Sequence, residues 1–304
     1  MIKYVEYIVV ILNYNTANDA LLAAESVNKT AGKRTYHICI ADNGSSKKGE
    51  KEILQNADIE NTTIIQLDKN YGYAVGNNKA VEEIKKSYQG NYIVIMNPDV
   101  CIEKNNTIDG LLDRIESSSD CVVGVQPLVH TVMWKEVANR QINIRRVPQS
   151  TSEILVYVNL FARKVFYKTR ARINYEKERP YNRDIKYEVP SGAFFIMKSR
   201  EFELINGFDK NTFMYCEEII IGKKIKDLGK SFLLVPEYQV EHYHGKSTGS
   251  HNGKVSDFTK KELIKSWDYY ATYYLHLSVF ERYLIKKAIK IDCSMRNMMW
   301  RRKK

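Results

Sequence analysis

Long hydrophobic runs are missing from this chain. No stretch of its 304 residues approaches the roughly 20 consecutive apolar positions of a membrane-spanning helix, so no transmembrane segment is expected. The opening MIKYVEYIVVILNYN is only briefly apolar and has neither a basic leader nor a small-residue cleavage site. It therefore reads as a first strand and not as a signal peptide. Cysteine is sparse: Cys39, Cys101, Cys121, Cys216 and Cys293 are scattered, with no CxxC pair. That argues against a zinc knuckle or a disulfide framework and for a reducing, cytoplasmic compartment. Biased repeats are absent too, and 44% hydrophobic with 27% charged residues is ordinary globular composition. This length can hold one large domain with its own core, or one plus an appendage.

Acidic residues are scarce at the C-terminal end. The net charge is +11, and residues 281–304 carry nine Lys/Arg against Glu281 and Asp292. Such an end seeks phosphates. Leu284, Ala288, Ile291, Met295 and Met298 recur at helical spacing, with Lys286, Lys287, Lys290 and Arg296 mostly elsewhere. The pattern fits a helix lying on an anionic membrane surface, peripheral to the inner face of the cell membrane. It equally fits a helix packed on the domain or on a partner subunit. The basic residues are not interleaved with aromatics in a recognisable module, so nucleic acid is not an expected partner.

What is present is an α/β alternation. Residues 7–14, 37–43, 62–68 and 92–99 read as strands, and 17–29, 48–55 and 79–87 as helices. Further strands are expected at 121–129, 192–198 and 231–237, and helices at 199–206 and 213–226. From Thr259 the chain looks helical to its end, Thr259 and Glu262 having capping-box spacing. Residues 134–187 are basic, Tyr-rich and without clear period, as in a functional flap with short helices. The expected fold is a mixed, mostly parallel sheet with helices on both faces. Its domain spans 1–250, with 134–187 as an irregular acceptor-side insertion and 251–304 as a helical basic extension. Ligands of such sheets bind beyond the carboxyl ends of the strands. There the sequence puts Asn13-Tyr14-Asn15, Asp42-Asn43-Gly44, Asp68 and Asn97-Pro98-Asp99.

Three groups of residues carry possible chemistry. Asp99, at a strand tip after Asn97-Pro98, is placed to hold a hard cation that neutralises a diphosphate, although an isolated Asx after Pro also simply forms turns. Glu217 and Glu218 open a helix, where like charges side by side raise each other's pKa and ready one to take a proton. Ordinary charge complementation of the helix start is the plainer reading. His242 and His244 sit just past a strand at i and i+2, on one side of an extended chain, and imidazole suits Mn2+. Lys246 and Ser247 follow, within reach of phosphate.

In this order the segments IVVILNYN, ICIADNGSS, NYGYAVGNNKAV, YIVIMNPDV, PSGAFFIMK, INGFDKNTFMYCEE and VPEYQVEHYHGKST resemble the family 2 inverting glycosyltransferases of GT-A fold. The likeness is strongest to the rhamnosyltransferase-like branch of bacterial surface and capsule polysaccharide synthesis, and covers roughly residues 6–250. It implies that Tyr14, Asn15 and Asp42 contact the nucleotide base, while Asn70, Gly72 and Asn77 shape the nucleotide-sugar pocket. Asp99 then matches the last carboxylate of the DxD metal motif, His242 the histidine that completes coordination of Mn2+ or Mg2+, and Glu218 the general base. Asn97 replaces the first acid of DxD, and Glu217-Glu218 replaces Glu-Asp, which leaves open which glutamate is the base. Gly192 and Ala193, with Phe194 and Phe195, would wall the sugar and acceptor subsite. The implied partners are a UDP- or dTDP-sugar donor and a glycan or lipid-linked glycan acceptor; the oligomeric state stays open.

Two rivals are weighed. A sugar-phosphate nucleotidyltransferase needs a Gly-rich, basic triphosphate loop near the N-terminus, which NYNTANDA does not supply. A catalytically silent nucleotide-binding scaffold draws mild support from Asn97 and the Glu-Glu pair. Gly222, inside a helix at a cost of about 1 kcal/mol relative to Ala, has no explanation at this level.

Overall fold

The structure, a computed structural model, describes residues 1–132, 144–243 and 255–301. The chain begins β1 (Lys3–Asn13), α1 (Ala17–Thr30), β2 (Tyr36–Asp42), α2 (Glu50–Gln55), β3 (Thr62–Gln66), α3 (Gly72–Ile84) and β4 (Tyr88–Met96). It continues through β5 (Val100–Cys101), α4 (Thr107–Glu116), β6 (Val122–Thr131), α5 (Thr151–Val158), α6 (Leu160–Val165), α7 (Tyr167–Ile173) and β7 (Ile185–Tyr187). The last elements are β8 (Phe194–Lys198), α8 (Ser199–Leu204), α9 (Glu217–Asp227), β9 (Ser231–His242), α10 (Asp257–Tyr273) and α11 (Val279–Arg301). Among the described residues no helix is long and apolar enough to cross a membrane.

One sheet runs in the order β3-β2-β1-β4-β8-β6-β9-β5, with β7 also paired to β9. The pairs β3–β2, β2–β1, β1–β4 and β6–β9 are parallel. Strand β8 runs antiparallel between β4 and β6, and β5 and β7 run antiparallel to β9. This is the mixed, mostly parallel sheet that the alternation predicts.

Period-two burial on both faces explains why the central strands read as unbroken apolar runs. In β1, Tyr7, Val9 and Ile11 enter one core while Ile8 and Val10 enter the other. The first core is covered by α1 and by α4, whose Ile108, Leu111, Leu112 and Ile115 lie at helical spacing. Ala74, Ala80, Val81 and Ile84 of α3 cover the second. Each such Val or Ile contributes about 1.5–3 kcal/mol relative to exposure. The same alternation corrects one expectation. Phe194 and Phe195 are fully buried, one in each core, because β8 is a central strand; they do not wall a subsite.

A third core joins the C-terminal helices to the rest. Trp267, Tyr270 and Ala271 of α10 and Ile285, Ile289 and Cys293 of α11 pack with Ile154 of α5 and Ile219 and Ile220 of α9. Ile221 and Ile225 of α9 enter the sheet core instead, so α9 is gripped from two sides. Gly222 now has its reason: a Cβ there would lie 2.5 Å from the carbonyl oxygen of Glu188. Asp209 ties α10 to the loop before α9, accepting from the hydroxyls of Tyr269 (3.0 Å) and Tyr274 (2.5 Å) and from the backbone N–H of Asn211.

Several boundaries differ from the sequence reading. Helix α3 starts at Gly72, not Lys79, taking in the glycine-rich stretch. Helix α9 starts at Glu217, because Tyr215 and Cys216 are left-handed (φ 76° and 68°) and cannot continue a helix. Helix α10 is capped by Ser256, which accepts from Thr259 N–H, so the Thr259–Glu262 box is not the cap. Strand β9 runs on to His242, which is a strand residue and not a loop residue.

Candidate active site

The carboxyl ends of β1, β2 and β4 open into a cavity of about 890 Å³, a size suited to a nucleotide-sized ligand. Its floor is a polar knot. Asn13 Nδ2 donates to Asp42 Oδ1 at 3.0 Å, and the Ser45 hydroxyl donates to the same oxygen at 2.5 Å. Asp42 Oδ2 is buried and accepts nothing. Above this, Asn43 Nδ2 donates to Asn70 Oδ1 and to Gly72 O, both at 3.1 Å. Gly72 has φ +78°, and a Cβ there would strike the Phe213 carbonyl, so glycine lets the loop before α9 close over α3. Tyr73 N–H donates to that carbonyl at 2.9 Å.

At a second edge, β5 pairs antiparallel with the end of β9, Val100 opposite His242. That register brings Asp99 beside His242, with Asp99 Oδ1 3.2 Å from Nε2. The oxygen is buried and accepts no hydrogen bond. A buried carboxylate oxygen that accepts no hydrogen bond and faces an imidazole nitrogen fits part of a divalent cation's shell. Among the described residues no cluster of three or more His, Cys, Asp or Glu forms a complete cage. His244, Lys246 and Ser247 lie outside the described residues.

The third side is the start of α9. Glu217 is 3% exposed, and its Oε1 accepts no hydrogen bond. Burial, reinforced by the charge of Glu218, pushes its pKa up to about 8. Burial also raises Glu218, opposed by backbone hydrogen bonding and by the nearby Arg145 charge. Glu218 Oε1 occupies the space where a side chain on residue 192 would begin, so any residue but glycine there would displace the carboxylate. The Tyr73 hydroxyl donates to Gly192 O at 2.7 Å. Burial first, then the charges of Glu218, Glu217 and Asp99, push the Tyr73 hydroxyl pKa well up. All three carboxylates therefore act on one point. The two left-handed residues before Glu217 store backbone strain next to the acid pair, where strain often marks function.

Of the residues singled out by sequence, Tyr14, Asn70, Gly72, Asn97, Gly192, Ala193, Glu217, Glu218 and His242 line this cavity. Asn13, Asp42, Asn77 and Asp99 are buried behind its wall. Asn77 donates to Tyr73 O, and Asn15 accepts from Ser46 and Lys47 N–H. Asp68 is a correction: it is exposed, takes a bond from the Tyr71 hydroxyl and stands outside the wall. Sequence reasoning missed Tyr73, Arg145, Tyr157 and Trp267, all of which line the cavity. Tyr73 adjoins the recognised Gly72 and could have been found. The other three come from aperiodic or C-terminal segments with no local signal.

With this geometry in hand, comparison with known proteins gives a consistent picture. Residues 8–203, more than half of the chain, match the profile of Glycosyl transferase family 2. The chain is 26% identical to Rhamnosyltransferase WbbL of Escherichia coli (strain K12) over 224 residues, 72% of each protein. It is 23% identical to the N-acetylglucosaminyl-diphospho-decaprenol L-rhamnosyltransferase of Mycobacterium tuberculosis (strain CDC 1551 / Oshkosh) over 228 residues, 72% of this chain and 70% of that one. Among solved structures it is similar to GalNAc-T7 with UDP, GalNAc and Mn2+ (TM-score 0.58, 16% identity), covering 95% of this chain and 55% of the other. The sheet order, the cavity at the strand ends and the profile match agree: the chain belongs to glycosyltransferase family 2 and has the GT-A fold.

Proposed function

We propose that this protein is an inverting glycosyltransferase of the rhamnosyltransferase-like branch. It would transfer a sugar from a UDP- or dTDP-sugar to a lipid-linked glycan acceptor in surface polysaccharide synthesis. The observation that carries the reading is the meeting of Asp99 and His242 with the Glu217–Glu218 pair around one cavity. Asp42, with its unpartnered oxygen, and Tyr14 would take the nucleotide base. Asp99 and His242 would hold a divalent cation, Mn2+ or Mg2+. Bound there, the cation supplies positive charge against the departing diphosphate.

Glu218 is the better base of the two glutamates. It faces Gly192 and the cavity, and the Arg145 charge favours its ionised form. Glu217, more deeply buried, keeps the pair's shared proton. Glu218 would take the proton of the acceptor hydroxyl as that oxygen attacks the anomeric carbon from the face opposite the nucleotide, which inverts the centre. Tyr73, anchored on Gly192 O, fixes the loop that Glu218 packs against. The mycobacterial relative's name, which specifies a lipid-diphosphate-linked sugar, supports this acceptor class.

Docking at a membrane would suit such an acceptor. Lys286 and Arg282 pair with Asp268, and Arg296 with Asp292. Lys287 and Lys290, by contrast, stand exposed on α11 beside exposed Leu284 and Ile291. Helix α6, whose Leu160 N–H donates to Asp292, adds exposed Phe161, Lys164 and Val165 to the same region.

The test is the Glu218→Gln variant against a panel of UDP- and dTDP-sugars with Mn2+. Thermal stabilisation by the donor should persist while transfer disappears. Retention of most of the turnover would remove Glu218 from the mechanism.

A further inference from the structure

Arg145 reaches the cavity from the segment between β6 and α5, and no sequence motif points to it. Its backbone is fixed by a bridge to Val189, whose N–H donates to Arg145 O at 3.0 Å. Its guanidinium lies 5.4 Å from the centre of the Tyr157 ring. Tyr157 packs against Trp267 with ring centroids 5.6 Å apart, and both rings line the cavity. Neighbouring Arg146 pairs with Glu188 at 3.7 Å. Among the described residues the Arg145 guanidinium has no hydrogen bond or ion pair, and its charge acts on Glu218. A planar five-donor fork left open in a cavity, backed by an aromatic face, is built to take a phosphate.

Two phosphate sources enter a site of this kind, the donor's diphosphate and a phosphate on the acceptor. The nucleotide end of the cavity is formed by Tyr14, Asn43 and Asn70, from β1, β2 and the approach to α3. Arg145, bridged to Val189, belongs to a wall of later elements that it shares with Tyr157 of α5, Trp267 of α10 and Glu218 of α9. A base and the acceptor hydroxyl must be neighbours. Resting on the glycosyl-transfer reading, we propose that Arg145 is an acceptor-recognition residue. It grips a phosphate of a lipid-diphosphate-linked sugar at the part of the cavity wall that Tyr157 and Trp267 also line.

The experiment is calorimetric binding of three probes to the wild type, Arg145→Gln and Arg145→Lys. The probes are dTDP with Mn2+, farnesyl-diphospho-N-acetylglucosamine, and the uncharged octyl N-acetylglucosaminide. Arg145→Gln should weaken the farnesyl-diphospho probe about 10- to 100-fold, as loss of a charged hydrogen bond does. It should leave dTDP and the octyl glycoside unchanged, and Arg145→Lys should recover part of the loss. Unchanged dTDP binding also certifies that the variants fold. The proposal is overturned if dTDP weakens as much as the lipid probe, which would assign Arg145 to the donor. Equal effects on charged and uncharged acceptors overturn it too, as does no effect at all. A wild type that binds dTDP but not the lipid diphosphate rejects this inference alone. One that binds no sugar nucleotide rejects the reading beneath it.

Discussion

Glu218 and Gly192 meet with no room for a methyl group between them: a Cβ on residue 192 would run into Glu218 Oε1. The carboxylate is thus placed by an absence, and substitution there should move it. Gly192→Ala should lower kcat about 100-fold, the scale expected when a reacting group shifts by about 1 Å. Nucleotide affinity should hold, because the binding residues at the ends of β1 and β2 are untouched. Wild-type turnover in Gly192→Ala would mean that Glu218 is not held against that residue during reaction.

The acid pair makes activity and stability respond to pH in opposite senses. Glu217 titrates near 8 in the folded chain against 4.5 ordinarily. The folded state therefore binds more protons than the unfolded state between these values, and stability should fall as pH rises across that window. Transfer needs Glu218 ionised, and burial raises its pKa as well, so kcat/KM should climb with pH from above the ordinary glutamate range. Glu217→Gln removes one charge from the pair. It should flatten the decline in Tm and leave the ascending limb of the rate profile, which follows Glu218, where it was. An ascending limb in the wild type no higher than that of an ordinary glutamate would contradict the burial of Glu218.

Asp99 is the partner of His242 across the β5–β9 pairing. Asp99→Ala should abolish the gain in dTDP or UDP affinity that Mn2+ gives, while metal-free affinity stays as it was. Titrations with and without Mn2+ check this, and an undiminished metal effect would reject the site.

Removing residues 281–304 is a poor test of membrane docking, since Ile285, Ile289 and Cys293 are buried in the third core. Reversing the exposed charges tests it better. The full chain with Lys287→Glu and Lys290→Glu should lose sedimentation with anionic phosphatidylglycerol vesicles, each lysine contributing about 1 kcal/mol near such a surface. Its nucleotide affinity should be unchanged. Equal sedimentation of the wild type with neutral and anionic vesicles would dismiss the membrane reading.

Local order was legible in the amino-acid sequence because burial on a two-sided sheet leaves its period in the residues. Val9 and Val10 of β1, the tips Asn13 and Asn97, and the acidic entry of α9 could all be read without coordinates. Boundaries were less so, since the left-handed turn at Tyr215–Cys216 and the Ser256 cap depend on neighbours. What only the tertiary structure decided is which distant residues share the cavity. Asp99 meets His242 through an antiparallel register that neither segment encodes alone, and Gly222 is explained only by the Glu188 carbonyl that packs on it. Arg145, Tyr157 and Trp267 converge because α10 and α5 fold onto α9. Periodicity reports which way a side chain faces; the identity of what it faces is set by packing between elements far apart in the chain.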